Sequence, residues 1–181
     1  MKTITIKQPW ASLIIEPDTE SLGFGIKPIE NRTWPCPKKH IGKRVLVHAS
    51  KSWTKSSAEI CLSIPHVKEA LERLGMIHKY DDESIGYKGY SFSGLTCGAI
   101  IGSVEIVDCV VNHPSIWAEP EYDTICKVGG CGSPRCDGCD KLKTIKTYNW
   151  VLANPIKFPE PIPAKGKLSF WEYEGELPEI I

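Results

Sequence analysis

Three short stretches decide the fold of this chain: QPWASLI at residues 8–14, GIKPIENRTW at residues 25–34 and GKRVLVHASK at residues 42–51. Pro9 stands where a helix can begin, and Trp10, Leu13 and Ile14 recur at i, i+3 and i+4 on one face. Pro17, Gly23 and Gly25 end that helix and open a loop that carries Lys27, Glu30, Arg32 and Trp34. Residues 44–49 alternate as a strand, with Val45 and Val47 on one face and Leu46 and His48 on the other. From Lys27 to Lys55 there are eight Lys/Arg against a single acid, Glu30, a local balance of +7 in a chain of zero net charge. Positive charge gathered in one span of a neutral protein predicts a field that attracts polyanions.

The order of these residues resembles the ASCH domain (activating signal cointegrator homology), a member of the PUA-like superfamily. The resemblance rests on Gln8-Pro9-Trp10-Ala11, on Gly25-Ile26-Lys27 with Glu30, Arg32 and Trp34, and on Val47-His48-Ala49. It extends to GAIIGSVEIVDCVV at residues 98–111, YNWVLANP at residues 148–155 and KGKLSFW at residues 165–171. It implies a mostly β (α+β) fold, a small β-barrel with flanking helices. It also implies that Lys27 points into a cleft between the first helix and the barrel.

Outside those stretches the pattern is plain. Residues 1–181 read as one domain with insertions at about 53–96, helical and then loop, and at 124–147, rich in cysteine. Residues 3–6 alternate as a strand, and residues 53–75 are helical with a break at Pro65 and a C-terminal stop at Gly75. Residues 80–96 have no period and are expected to form a loop. Residues 97–111 give the strongest strand pattern, with Gly102 marking a bulge. Strands at 149–152 and 168–173 are expected to be joined by a connection built on Pro155, Pro159, Pro161 and Pro163. Few helices between strands predict a mostly antiparallel barrel that removes its own edges.

Composition excludes several classes. Hydrophobic content of 41% and charged content of 24% are those of a globular chain. No apolar run approaches the roughly 20 residues that span a bilayer, so no membrane partner is expected. Lysines interrupt the apolar start, which is no signal peptide, and a cytoplasmic location follows as the expectation.

In that setting eight cysteines suggest metal ligands or reduced thiols before disulfides. Cys126, Cys131, Cys136 and Cys139 are spaced C-x4-C-x4-C-x2-C among glycines, which suits a short loop wrapped around a tetrahedral structural zinc. Disulfides, an iron–sulfur centre of uncommon spacing and free thiols are the alternatives.

The candidate ligand-binding residues are Gln8, Trp10, Lys27, Arg32, Trp34, Lys43, Arg44, His48, Ser50 and Lys51. Lysine and arginine would meet phosphates, and tryptophan would stack an unpaired base, so RNA, another nucleic acid or a modified nucleoside is the expected partner. The alternative is a small hydrolase with Lys27 and Glu30 as catalytic residues. One branch of the resembled family removes an acyl group from N4-acetylcytidine with a lysine, a threonine three residues later and a distant glutamate. Lys27 matches the lysine, but Glu30 stands at the threonine position. Acid–base cleavage of RNA by the same pair is a further variant of that alternative.

Overall fold

The computed structural model describes residues 1–84, 86–124 and 143–179. Its centre is a six-stranded sheet curled into a half-barrel, with a few helices, an α+β architecture that is mostly β. The strands β1 (Lys2–Ile6), β2 (Ile29–Arg32), β3 (Lys43–Ala49), β6 (Ala99–Val111), β9 (Tyr148–Pro163) and β10 (Phe170–Glu172) lie in the order β10-β1-β3-β6-β9-β2. Two short hairpins stand apart, β4 (Ile77–Lys79) with β5 (Tyr90–Phe92), and β7 (Tyr122–Thr124) with β8 (Lys143–Ile145). β1 and β3 pair in parallel and the other ladders of the sheet are antiparallel. A parallel pair needs a long crossover, and the chain between β1 and β3 supplies it with helix α1 (Trp10–Ile15) and β2.

Burial explains why these segments form. Ile4 and Ile6 of β1, Val45 and Val47 of β3, and Val104 and Ile106 of β6 share one core with Trp150 and with Ala11, Ile14 and Ile15 of α1. On the other face Leu46 and Ile100 pack with Phe158 and Trp171. The alternation read in residues 44–49 is therefore real, but both of its faces are buried. Helices α2 (Lys55–Ser63) and α3 (Pro65–Arg73) cover Leu13 and Ile26 with Cys61, Val67, Ala70 and Leu71. Thr54 caps α2 by accepting from Ser57 N–H, and Gly75, at φ 63°, follows the last turn of α3.

Four expectations are revised. Among the described residues the sheet is not a closed barrel by pairing: β10 and β2 are its edges. The 27–32 stretch is not all loop, because Ile29–Arg32 adds to β9 as that edge strand. Within residues 80–96, Tyr90–Phe92 pairs with Ile77–Lys79. The proline-rich connection is itself strand, part of the 16-residue β9. Pro155 falls at the register shift between the pairs Glu105–Ala153 and Ser103–Ile156, and Pro159 and Pro161 fall between Gly102–Lys157 and Ile100–Ile162. Bulges tolerate residues without an N–H, which is why these three prolines do not stop the strand, and Pro163 is its last residue. Gly102 sits at such a shift, and a Cβ there would lie 2.4 Å from the Ile156 carbonyl oxygen.

Candidate functional site

A cleft of about 690 Å³ opens where β1 runs out, between α1, the edge strand β2 and the helix pair α2–α3. Its floor holds Lys27, Glu30 and Arg32. Lys27 and Glu30 are buried, at 4% and 8% exposure, and the Glu30 carboxylate is shared between two cations. Oε2 stands 3.4 Å from Lys27 Nζ and Oε1 stands 2.9 Å from Arg32 Nε. Lys27 Nζ also donates to the Ile29 carbonyl and sits 5.7 Å from the centre of the Trp10 ring. Arg32 Nη2 donates to the Thr5 carbonyl at 2.8 Å, which fixes the guanidinium against the end of β1.

Burial lowers the proton affinity of Lys27, and the neighbouring Glu30 offsets only part of that cost. Buried ion pairs contribute little net stability, because desolvation consumes most of the Coulomb gain. This cluster therefore positions charge in the cleft more than it holds the fold together.

The walls come from distant parts of the chain. His66 of α3 meets Trp117 edge to face, with ring centres 4.7 Å apart. Asn31 ties the 117–119 segment to β2: its Nδ2 donates to the Trp117 carbonyl at 2.9 Å and its Oδ1 accepts from Glu119 N–H at 3.2 Å. Ile60, Ile116 and Leu168 line the cleft although they are 47%, 69% and 95% exposed, so an apolar lip surrounds a charged floor. Lys7 and Lys167 add exposed cations. Altogether the lining carries four cations against two carboxylates, Glu30 and Glu119.

Of the residues singled out in the sequence, Trp10, Lys27, Glu30, Arg32 and Ser50 line this cleft. The others do not. Gln8 is buried and serves the start of α1, accepting from Ser12 N–H and Oγ and donating to the Thr96 carbonyl at 2.5 Å. Trp34 packs edge-on against Trp150 at 4.7 Å. Arg44 bridges Glu105 at 2.9 Å and the Asn154 carbonyl at 2.9 Å, with Lys43 exposed beside it at the far end of β3. His48 is buried on the opposite face, its Nε2 3.0 Å from the Ala164 carbonyl and its ring edge-on to Trp171. Lys51 is exposed next to Gly98. The +7 span is thus spread along the molecule: six residue steps of β3 separate Lys43 from Ala49, roughly 20 Å.

Lys7, His66, Trp117, Glu119 and Lys167 escaped the sequence reading, because the fold alone brings them to the cleft. Cys126, Cys131, Cys136 and Cys139 lie outside the described residues. Among the described residues no group of three or more His, Cys, Asp or Glu is placed to hold a metal. No helix among them is long and apolar enough to cross a membrane. The chain matches no protein-family model, and no curated protein matches it significantly.

Proposed function

We propose that this protein is an RNA-binding module of the ASCH type, and that its cleft receives a single unpaired nucleotide. The observation that carries the reading is the cleft itself: a floor of Lys27, Glu30 and Arg32 enclosed by Trp10, Trp117 and an apolar lip. Flat apolar walls suit a base that leaves its stack, and an excess of cations suits the phosphates on either side of it. A duplex hides its bases, so the reading requires single-stranded RNA to bind more tightly than the same sequence in a duplex. Fluorescence anisotropy with labelled oligonucleotides tests this, with Trp117→Ala as the variant, because Trp10 also packs into two cores. Equal affinity for single and double strands, unchanged by Trp117→Ala, refutes it.

One observation favours a second reading as a hydrolase. Lys27 is a desolvated amine whose proton affinity is lowered, hydrogen-bonded to a carboxylate in a cleft. Such an amine is suited to act as a base toward an acylated cytidine or an RNA 2′-hydroxyl. Release of acetate from N4-acetylcytidine, or cleavage of an RNA strand, lost in Lys27→Met, would establish it.

The cysteine-rich segment is proposed to hold a structural zinc through Cys126, Cys131, Cys136 and Cys139. Support comes from its flanks: Thr124 and Lys143 are register partners in the β7–β8 hairpin, so the chain leaves and returns side by side.

A further inference from the structure

Two buried hydrogen-bond donors that line the cleft have no hydrogen-bond partner among the described residues. They are Ser50 Oγ and Arg32 Nε. Buried polar groups in folded proteins are almost always paired, and each one left unpaired costs free energy, so a donor left open in a cleft is met there by water or by an atom of a ligand. Arg32 Nε lies 2.9 Å from Glu30 Oε1, but its N–H is not aligned with that oxygen, and the contact is an ion pair without a hydrogen bond. Among the described residues, the remaining buried side-chain atom without a partner is His48 Nδ1. It is packed under Gly166 on the other face of the sheet, where a Cβ on that glycine would come within 2.7 Å.

Both donors are held by neighbouring residues of β1. Ser50 N–H donates to the Ile6 carbonyl at 2.8 Å, and Arg32 Nη2 donates to the Thr5 carbonyl at 2.8 Å. Thr5 and Ile6 are consecutive at the end of β1, so the two tethers place Ser50 and Arg32 at that end of the cleft. The next residue, Lys7, lines the cleft there and is exposed. With four cations against two carboxylates in the lining, an anionic oxygen suits these donors better than a neutral carbonyl.

We propose that Ser50 Oγ and Arg32 Nε belong to a phosphate subsite, which takes a phosphate group of the ligand while its base lies against the apolar walls. The subsite deepens the RNA reading of the same cleft and rests on it for the base. The phosphate belongs either to the backbone of an RNA strand or to a free nucleotide.

The full chain and its Ser50→Ala and Arg32→Lys variants are titrated with inorganic phosphate, cytidine, cytidine 5′-monophosphate and a single-stranded RNA oligonucleotide, by NMR chemical shift and anisotropy. Ser50→Ala removes one small hydroxyl, and a melting temperature within a degree or two of the parent's confirms that it folds. The expected result is about a tenfold loss of affinity for the monophosphate or the oligonucleotide, with cytidine binding unchanged. Arg32→Lys keeps the charge and loses the Nε–H, and it shows the same selectivity. Loss for the monophosphate without any RNA binding by the parent leaves the subsite standing, assigns it to free nucleotides and overturns the RNA reading. RNA and monophosphate bound equally well by the parent and both variants overturn the subsite and leave the RNA reading intact. Binding of no phosphate-bearing probe by the parent overturns both.

Discussion

Glu30 and Trp150 face one another across the β2–β9 ladder, so a buried carboxylate stands beside the largest fully buried side chain among the described residues. Arg32, two residues on, lies 6.0 Å from the centre of the same indole ring. The edge strand thereby carries its charges on the side that closes the cleft, and the aromatic core beneath them sets where they stand. Loosening β2 would disperse the cleft floor while leaving the rest of the sheet paired.

Removing the shared carboxylate should be costly. Glu30→Gln leaves Lys27 and Arg32 without their counter-charge in a buried place, and about 3–5 kcal/mol of stability is expected to be lost. Lys27→Met combined with Glu30→Gln should recover part of that loss, since it removes one of the stranded cations. Urea denaturation of the single and double variants measures both. Additive losses would show that the two groups do not act as a pair.

RNA affinity should fall with salt, and the residues responsible should be those of the cleft. Lys7→Gln with Lys167→Gln is expected to weaken binding and to flatten the log–log salt slope by about 1.4, at roughly 0.7 for each phosphate contact on a single strand. Lys43→Gln with Arg44→Gln should leave the slope unchanged and lower stability instead, because Arg44 braces Glu105 and Asn154. A salt titration of both pairs separates the two effects.

Lys27 gives a signed pH dependence. Its folded proton affinity lies below the ordinary lysine value of 10.5, so the unfolded chain binds the proton more tightly across the intervening window. Stability from this group therefore rises with pH through that window, and Lys27→Met should remove the rise. In the hydrolase reading kcat/KM would climb over the same range, as the neutral amine becomes populated. The unmodified protein is expected not to deacylate N4-acetylcytidine, and Glu30→Thr should be assayed beside it. Acetate release by the unmodified protein would reverse the order of the two readings.

Thiol chemistry should divide the cysteines. Burial pushes the Cys36 thiol up to about 11 and the Cys61 thiol up to about 12, from an ordinary 9.0. At pH 8 the native thiolate is then scarcer by about 100-fold and 1000-fold, and alkylation by iodoacetamide should slow accordingly. Peptide mass spectrometry of native and urea-unfolded samples reads the ratio for each site.

The zinc proposal predicts about one metal ion per chain in protein prepared without chelator. Chelation should expose residues 125–142 to proteolysis and leave the main melting transition in place, because the hydrophobic clusters lie in other segments. Absence of metal by elemental analysis, with thiols unreactive until reduced, would point to disulfides.

Local pattern was enough for the elements whose signal is local. Helix α1 followed from Pro9 and the spacing of Trp10, Leu13 and Ile14, β3 from its β-branched alternation, and the break between α2 and α3 from Pro65. Lys27, Glu30 and Arg32 were legible as a group because they lie within one turn of chain and one strand. What no local pattern contains is the partner across a ladder or a cleft. Residues 29–32 become a strand only because β9 offers its edge, and Pro155, Pro159 and Pro161 stay in strand because bulges fall at them. His48 shares its strand with Ser50's end of the cleft, yet the second core on the outer face takes it away from any ligand. Lys7, His66, Trp117 and Lys167 meet only after parallel pairing of β1 with β3 and the docking of α3 have closed loops of tens of residues. Chain order alone determined which charges are near neighbours; the tertiary structure decided which of them share a site, because burial and backbone pairing act between residues that the sequence holds far apart.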